Sequence, residues 1–246
     1  MMNLLVQAPT WESLPWTMAS TVVISFLTTV LVSKYVSRES YGIKEACSMY
    51  PWEYAVPISL TQPLHYYIMA HEFFGYDSQR TSLHELFVDT VLCLFVVDAS
   101  LYWGHWIQHR YFMCFHHVHH SLKTDKNMTT IVGGYTASLV DTCFMQLLVL
   151  LVPPMVLSLH PLVHWVITVW TGITALALHG EAPSGFTSAV FITPDDHRMH
   201  HMTDTSQKNY SMLFKFWDQF MGTYSNPHPI VFLRHSKKAK SLDTNQ

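Results

Sequence analysis

Apolar residues in this chain gather into stretches long enough to cross a bilayer, whose hydrocarbon core is about 30 Å thick and takes roughly 20 mostly apolar helical residues. Thr17 to Val36 is the cleanest, with no charge before Lys34 and with Trp11 and Trp16 at one end and Tyr35 at the other, where aromatic rings favour the interface. It has no basic n-region, so it reads as a span rather than a signal peptide. Leu86 to Ile107 is another span, interrupted by Asp89 and Asp98. From Thr142 to Gly180, 39 consecutive residues carry no Lys, Arg, Asp or Glu. That run is too long for one helix, and Pro153, Pro154 and Pro161 punctuate it. It therefore predicts a helical hairpin of about Tyr135 to Val152 and Pro161 to His179. Trp52 to Phe74, diluted by Pro57, Pro63, His65 and His71, is a span or a re-entrant segment. The pattern predicts an all-α, polytopic integral membrane protein with about four to five transmembrane helices.

The charges agree with that reading. They make up 13% of the 246 residues, about half the roughly 25% of a soluble domain. If all five segments cross, Lys34, Arg38 and Lys44 follow the first span and Arg110, Lys123 and Lys126 the third. Seven more basic residues follow the fifth, and only Arg80 falls on the other side. By the positive-inside rule the N-terminus is then lumenal or extracellular, and everything after Gly180 is cytosolic. Asn127-Met-Thr129 and Asn209-Tyr-Ser211 are formal glycosylation sequons on the cytosolic side and are expected to stay bare. A net charge of −3, with no Lys/Arg cluster outside Arg234, Lys237, Lys238 and Lys240, excludes a nucleic-acid partner. The four cysteines, Cys47, Cys93, Cys114 and Cys143, are widely spaced and read as reduced packing residues.

Histidine is the residue in excess, with 17 copies. His105 and His109 form an H-x3-H pair at the cytosolic end of the third span. His116, His119 and His120 form an H-x2-H-H motif; His197, His200 and His201 form a second; His179 closes the fifth span. In a chain of this composition one H-x2-H-H is expected roughly 0.1 times by chance. On a helix His105, His109, His116, His119 and His120 fall within an arc of about 100°, and His117 falls outside it. One straight helix would spread the five over roughly 22 Å, so a bend is expected between Arg110 and Phe115. Packed neutral imidazoles offer lone pairs to a metal, and nine ligands exceed what one ion takes, so two metals are the economical reading. The isolated His65, His71, His84 and His160 read as interfacial polar residues. Ligating imidazoles want their second nitrogen to donate to a carboxylate, and Asp98, Asp195 and Asp196 are placed to accept, with Asp89 and Asp141 secondary candidates. Asp195 could equally be the N-cap of the helix that carries His197.

Two other classes fit less well. A membrane zinc protease wants H-E-x-x-H, yet His71-Glu72 has Gly75 and His84-Glu85 has Val88 at the needed place. A metal transporter should set ligands along a mid-membrane path, whereas these collect at one surface.

These motifs carry a resemblance. Asp98 to His105, His109, His116-x2-His119-His120, His179-Gly-Glu-Ala-Pro, Asp196-His197-x2-His200-His201, Asn209-Tyr210 and Asp218-x3-Met221-Gly-Thr223 resemble the fatty acid hydroxylase / sterol desaturase superfamily. The resemblance implies a catalytic domain over 86–224, behind N-terminal membrane segments in 1–85 and ahead of a basic tail, 225–246. It implies an endoplasmic-reticulum oxygenase with a cytosolic di-iron centre on those nine histidines, Asn209 among its supporting residues, O2 as co-substrate, and electrons from cytochrome b5 and its reductase. The substrate would be a bilayer lipid, hydroxylated or desaturated. Ala175 stands where acyl-chain hydroxylases of that family have another His, which tilts the expectation toward a sterol; Ser211 stands where Gly is common.

Overall fold

The computed structural model of the chain describes residues 14–31, 61, 64, 65, 67, 68, 73–120, 137–180, 186–202 and 207–226. These contain seven α-helices and no strand: α1 (Leu14–Leu31), α2 (Leu83–Tyr111), α3 (Met113–His120), α4 (Leu139–Val156), α5 (Pro161–Ala177), α6 (Pro194–His200) and α7 (Phe216–Phe220). Two isolated bridges, Tyr76 with Leu159 and Phe191 with Phe214, are the only extended pairings among the described residues. Most of the Trp52 to Phe74 segment and all of 227–246 lie outside them.

The long central helix begins where a capping box allows it. Glu85 N–H donates to Ser82 Oγ at 3.2 Å, and Ser82 N–H donates to the Glu85 carboxylate at 3.1 Å. From there α2 runs 29 residues, three earlier and four later than the apolar run suggested. Its inner face buries Cys93, Val97 and Leu101 against Val149 of α4, Ile167 of α5 and Leu213. Its outer face leaves Phe87, Val91, Leu92 and Phe95 exposed. Helices α2 and α4 are long and apolar enough to cross a membrane, and α5 is a shorter apolar helix of 17 residues. Gly104 lets α2 and α4 approach, since a Cβ there would overlap Leu148 Cδ1.

The hairpin of α4 and α5 differs from expectation at one end. Pro153 and Pro154 do not end α4, which continues to Val156. Proline removes an N–H and so frees the carbonyl four residues back, and a helix persists only if other donors compensate. Here His164 Nε2 donates to the freed Val149 carbonyl at 2.9 Å. Beyond the prolines, Gly75 N–H takes the Pro154 carbonyl at 2.7 Å, and Leu159 N–H takes the Gly75 carbonyl at 3.0 Å. A side chain at Gly75 would overlap the Leu157 carbonyl, so the close approach needs glycine. At this same end Asp89 receives Arg80 at 2.7 Å and the His160 N–H at 2.6 Å. Cys93, Cys114 and Cys143 are free thiols; Cys93 is buried in the packing as expected, Cys114 is exposed, and Cys47 lies outside the described residues.

Candidate metal centre

Four elements deliver histidines to one end of the bundle. His105 and His109 lie one turn apart on the buried face of α2. The helix then breaks at Phe112 (φ −125°), and α3 starts at the next residue, inside the interval where a bend was required. That turn folds His116, His119 and His120 back beside the first pair; all three are buried, while His117 is exposed. His179 follows the end of α5. The fourth contribution comes from α6, started by a capping box in which Thr193 is the N-cap and Asp196 its N3 partner, with Pro194 between. The N-cap is therefore Thr193 and not Asp195. His197 and His200 sit on this helix and His201 caps its C-terminus.

The nine rings fall into two groups. One holds His105, His109, His116, His120 and His200, the other His119, His179, His197 and His201, and within each group one ring nitrogen per residue lies within 4.8 Å of all the others. Nε2 to Nε2 separations are 3.1 Å for His200 and His120, 3.0 Å for His197 and His179, 3.2 Å for His201 and His197, and 3.4 Å for His179 and His119.

Outer partners fix several tautomers. A carbonyl oxygen only accepts, so Nδ1 carries the proton where it meets one. His105 donates to the Tyr210 carbonyl at 2.8 Å, His179 to that of Ala175 at 3.0 Å, and His200 to that of Lys208 at 2.7 Å. Each of these rings turns an Nε2 lone pair inward. His116 Nδ1 meets Asp141 at 3.0 Å, and Gln108 Nε2 donates to the other oxygen of that carboxylate. Several buried ring nitrogens are left unserved by the protein. Both nitrogens of His109, Nε2 of His116, and Nδ1 of His197 and His201 are buried with no hydrogen-bond partner among the described residues. Burial also holds the rings neutral: it pushes His116 down to about 4, and burial reinforced by neighbouring imidazoles lowers His120, His197, His200 and His201. Neutral rings whose lone pairs converge fit a cation in each group, and the orphaned nitrogens of His109 and His116 support this for the first.

The supporting carboxylates are arranged otherwise than expected. Asp98 accepts the Phe214 N–H at 3.3 Å, tying the C-terminal segment to α2. Asp195 pairs with Arg198 at 2.5 Å. Asp196 caps α6 and takes Lys215 Nζ at 2.8 Å and the Tyr224 hydroxyl at 3.1 Å. Asn209, in the left-handed region at φ 56°, donates to the carbonyls of Asp196 at 3.1 Å and Ser225 at 2.9 Å. Asp218 accepts the N–H groups of Tyr210 and Ser211 at 2.9 Å each, and so holds the backbone whose Tyr210 carbonyl orients His105. Among the described residues Asp141 is a carboxylate that meets a ring nitrogen, although the sequence makes it only a secondary candidate. Its one sequence signal is its place as the last charge before the uncharged run, three residues after the cap Ser138.

A search of curated proteins found no match, and neither did a search of solved structures. The sequence profile described as "Fatty acid hydroxylase" matches residues 90–223, a stretch that holds all nine histidines and more than half of the chain. On that match, the chain belongs to the fatty acid hydroxylase family.

Proposed function

We propose that the protein is a membrane-bound non-haem di-iron oxidoreductase that uses O2 and two electrons to hydroxylate an unactivated C–H bond of a lipid, with a sterol as the preferred class. One observation carries this reading: two buried sets of five and four imidazole nitrogens, each within 4.8 Å, in a chain of a lipid-hydroxylase family.

His105, His109, His116, His120 and His200 would hold one iron and His119, His179, His197 and His201 the other. Bound iron supplies the activation of O2 that C–H oxidation requires, which amino-acid side chains alone do not provide. The chain's own part is to hold nine neutral imidazoles in place, through the Tyr210, Ala175 and Lys208 carbonyls and Asp141, and to keep water from them by burial. Ala175 stands where acyl-chain hydroxylases of the resembled family have another His, which supports the sterol assignment over an acyl chain.

The orientation belongs to the same proposal. Four to five spans, with the histidine cap cytosolic in the endoplasmic reticulum, put the centre within reach of cytochrome b5 and its reductase, and the basic-residue asymmetry supports it. The test is made on iron-loaded protein in lipid nanodiscs. Two irons per chain are expected, with O2 consumed only when reductant and lipid are both present and a product heavier by one oxygen by mass spectrometry. Loss of two hydrogens would assign desaturation instead. One metal per chain, or full activity in zinc-only protein, would overturn the reading.

A further inference from the structure

After the second histidine motif the chain does not stay at the level of the ligands. Two short stretches, paired through Ile192 N–H to the Leu213 carbonyl (2.9 Å) and Lys215 N–H to the Val190 carbonyl (2.9 Å), descend along the bundle. Their depth is set by two independent contacts. On α2, Trp217 packs on Phe95 with ring centroids 5.3 Å apart, and Phe216 on Phe95 at 6.4 Å. Phe95 is ten residues before His105, about 15 Å along the helix. On α5, Phe191 packs on Trp170 at 6.4 Å. Trp170 is nine residues before His179, about 13 Å. Half of a hydrocarbon core is about 15 Å, so this pairing lies roughly one leaflet deeper than the rings.

The outward side of the descending segment is mostly apolar, with Gln219 its one exposed polar side chain between Phe216 and Met221. Val190 (55% exposed), Phe216 (49%), Phe220 (71%) and Met221 (41%) face outward, and the patch continues into Phe95 (52%) and the exposed side of α2. The charged residues of the stretch between Ser211 and Thr223 turn the other way. Lys215 is buried on Asp196 and Tyr224, and Asp218 is buried on the backbone of Tyr210 and Ser211. A surface in water would show the reverse, charges outside and large apolar groups within. A charged landmark beside the patch is the exposed Lys208, whose ammonium donates to the Gly222 carbonyl at 3.2 Å, a placement suited to the interface.

We infer that Val190, Phe216, Phe220 and Met221 are covered by lipid acyl chains, so that the paired segment around them is embedded in the ligand-side leaflet. The segment from the fifth span to the C-terminus is then not wholly in the cytosol. It forms a wedge along α2 and α5 that sets the metal-ligand rings at the bilayer. This rests on the reading of α2 and α4 as membrane spans and adds a membrane contact outside them.

The test uses the full chain in nanodiscs, with a fluorescent amino acid placed singly at Val190, Phe220, Phe87 on the exposed side of α2, or the exposed Asn226. Two quenchers are compared: lipids brominated on the acyl chain, and aqueous iodide. Probes at 190 and 220 are expected to lose emission to the brominated lipid as strongly as the probe at 87 and to resist iodide, with 226 behaving oppositely. Quenching at 190 and 220 by iodide, with 87 still quenched by lipid, overturns the inference and leaves the span assignment standing. Quenching by neither agent shows that protein covers the patch, and also overturns it. A probe at 87 quenched by iodide alone overturns the span assignment and this inference together.

Discussion

The bundle holds buried histidines at both ends, and the two ends treat them differently. At the end opposite the ligand cluster, His65, Tyr76 and His164 form a closed set. His164 donates Nε2–H to the Val149 carbonyl that Pro153 leaves free, its Nδ1 takes the Tyr76 hydroxyl at 2.5 Å, and His65 Nε2 lies 3.3 Å from the same hydroxyl. Every nitrogen there but His65 Nδ1 has a partner in the protein. At the ligand end the rings are as deeply buried, yet both nitrogens of His109, Nε2 of His116 and Nδ1 of His197 and His201 have none. Burial of histidine is thus no sign of a metal by itself. What separates the two ends is whether the protein finishes the hydrogen bonding, because a native fold rarely leaves so many buried polar atoms orphaned without something to meet them.

The largest effect is expected from removing a ring at the ligand end. Ala at His116, His119 or His120 should abolish essentially all lipid oxidation and lower the metal content read by elemental analysis. Ala at the equally buried His164 should leave two metals per chain. If His164→Ala also stripped the metal, the two ends would not be independent and the contrast would fail.

Acid should separate the ends next. An imidazole normally titrates near 6.5, and the folded chain holds His116 neutral down to about 4. Below 6.5 the unfolded chain therefore binds protons that the folded metal-free chain refuses, so stability falls as pH drops from 6.5 toward 4. Bound metal should raise the whole profile in this window without changing its slope, since it binds the folded form, whose His116 ring is already neutral there. Thermal melts across this window, with and without iron, check it; no gain in stability with iron would remove the metal from the explanation.

Smaller again is the effect of an outer partner. Asp141→Asn keeps the shape but replaces the acceptor that fixes the His116 ring, and such changes typically cost about 10–100-fold in metal affinity. Asp98→Asn, whose carboxylate meets the Phe214 N–H instead, should leave metal affinity near its starting value. Competition against a chelator measures both, and equal losses would show that Asp98 acts on the rings after all.

These pairs also mark how far the sequence could be read. The histidine sets, the break near Phe112 and the outward placement of His117 follow from helical spacing and from the reach of a straight helix, which are local quantities. The choice of Asp98 over Asp141 went wrong because seven residues of separation on α2 say nothing of which helix packs opposite. Asp141 comes to His116 through the packing of α3 on α4, and that is a tertiary fact. The same holds for Pro153, whose freed Val149 carbonyl is taken by His164, and for the last turn of α4, where Gly75 meets the Pro154 carbonyl, neither partner being near in sequence. Thr193 was legible as a T-x-x-D capping box, although Asp195 drew attention as the acidic neighbour of the motif.

At the opposite end, Tyr76→Phe deletes the donor to His164 Nδ1. His65 Nε2 lies 3.3 Å from that nitrogen and can take over, so the cost should be about 1 kcal/mol, nearer the value of an ordinary hydrogen bond than that of an orphaned buried acceptor. Metal content should not change. A much larger loss, read from chemical unfolding, would mean that His65 cannot move and that this end is as tightly determined as the other.

The smallest effect should come from the histidine that belongs to neither set. His117 lies in the middle of the H-x2-H-H motif, yet it is exposed, and its Nδ1 turns back to the Cys114 carbonyl of its own helix at 2.7 Å. A side chain whose partner is three residues away on the same surface contributes little beyond local helix stability, and such substitutions usually change stability by about 0.5 kcal/mol or less. His117→Ala is therefore expected to keep two metals per chain and measurable turnover, beside neighbours on either side whose loss is complete. If it proved as damaging as His116→Ala while expression stayed normal, position in the motif rather than direction on the helix would decide which histidines serve the centre. The geometric distinction between the two buried ends would then lose its basis.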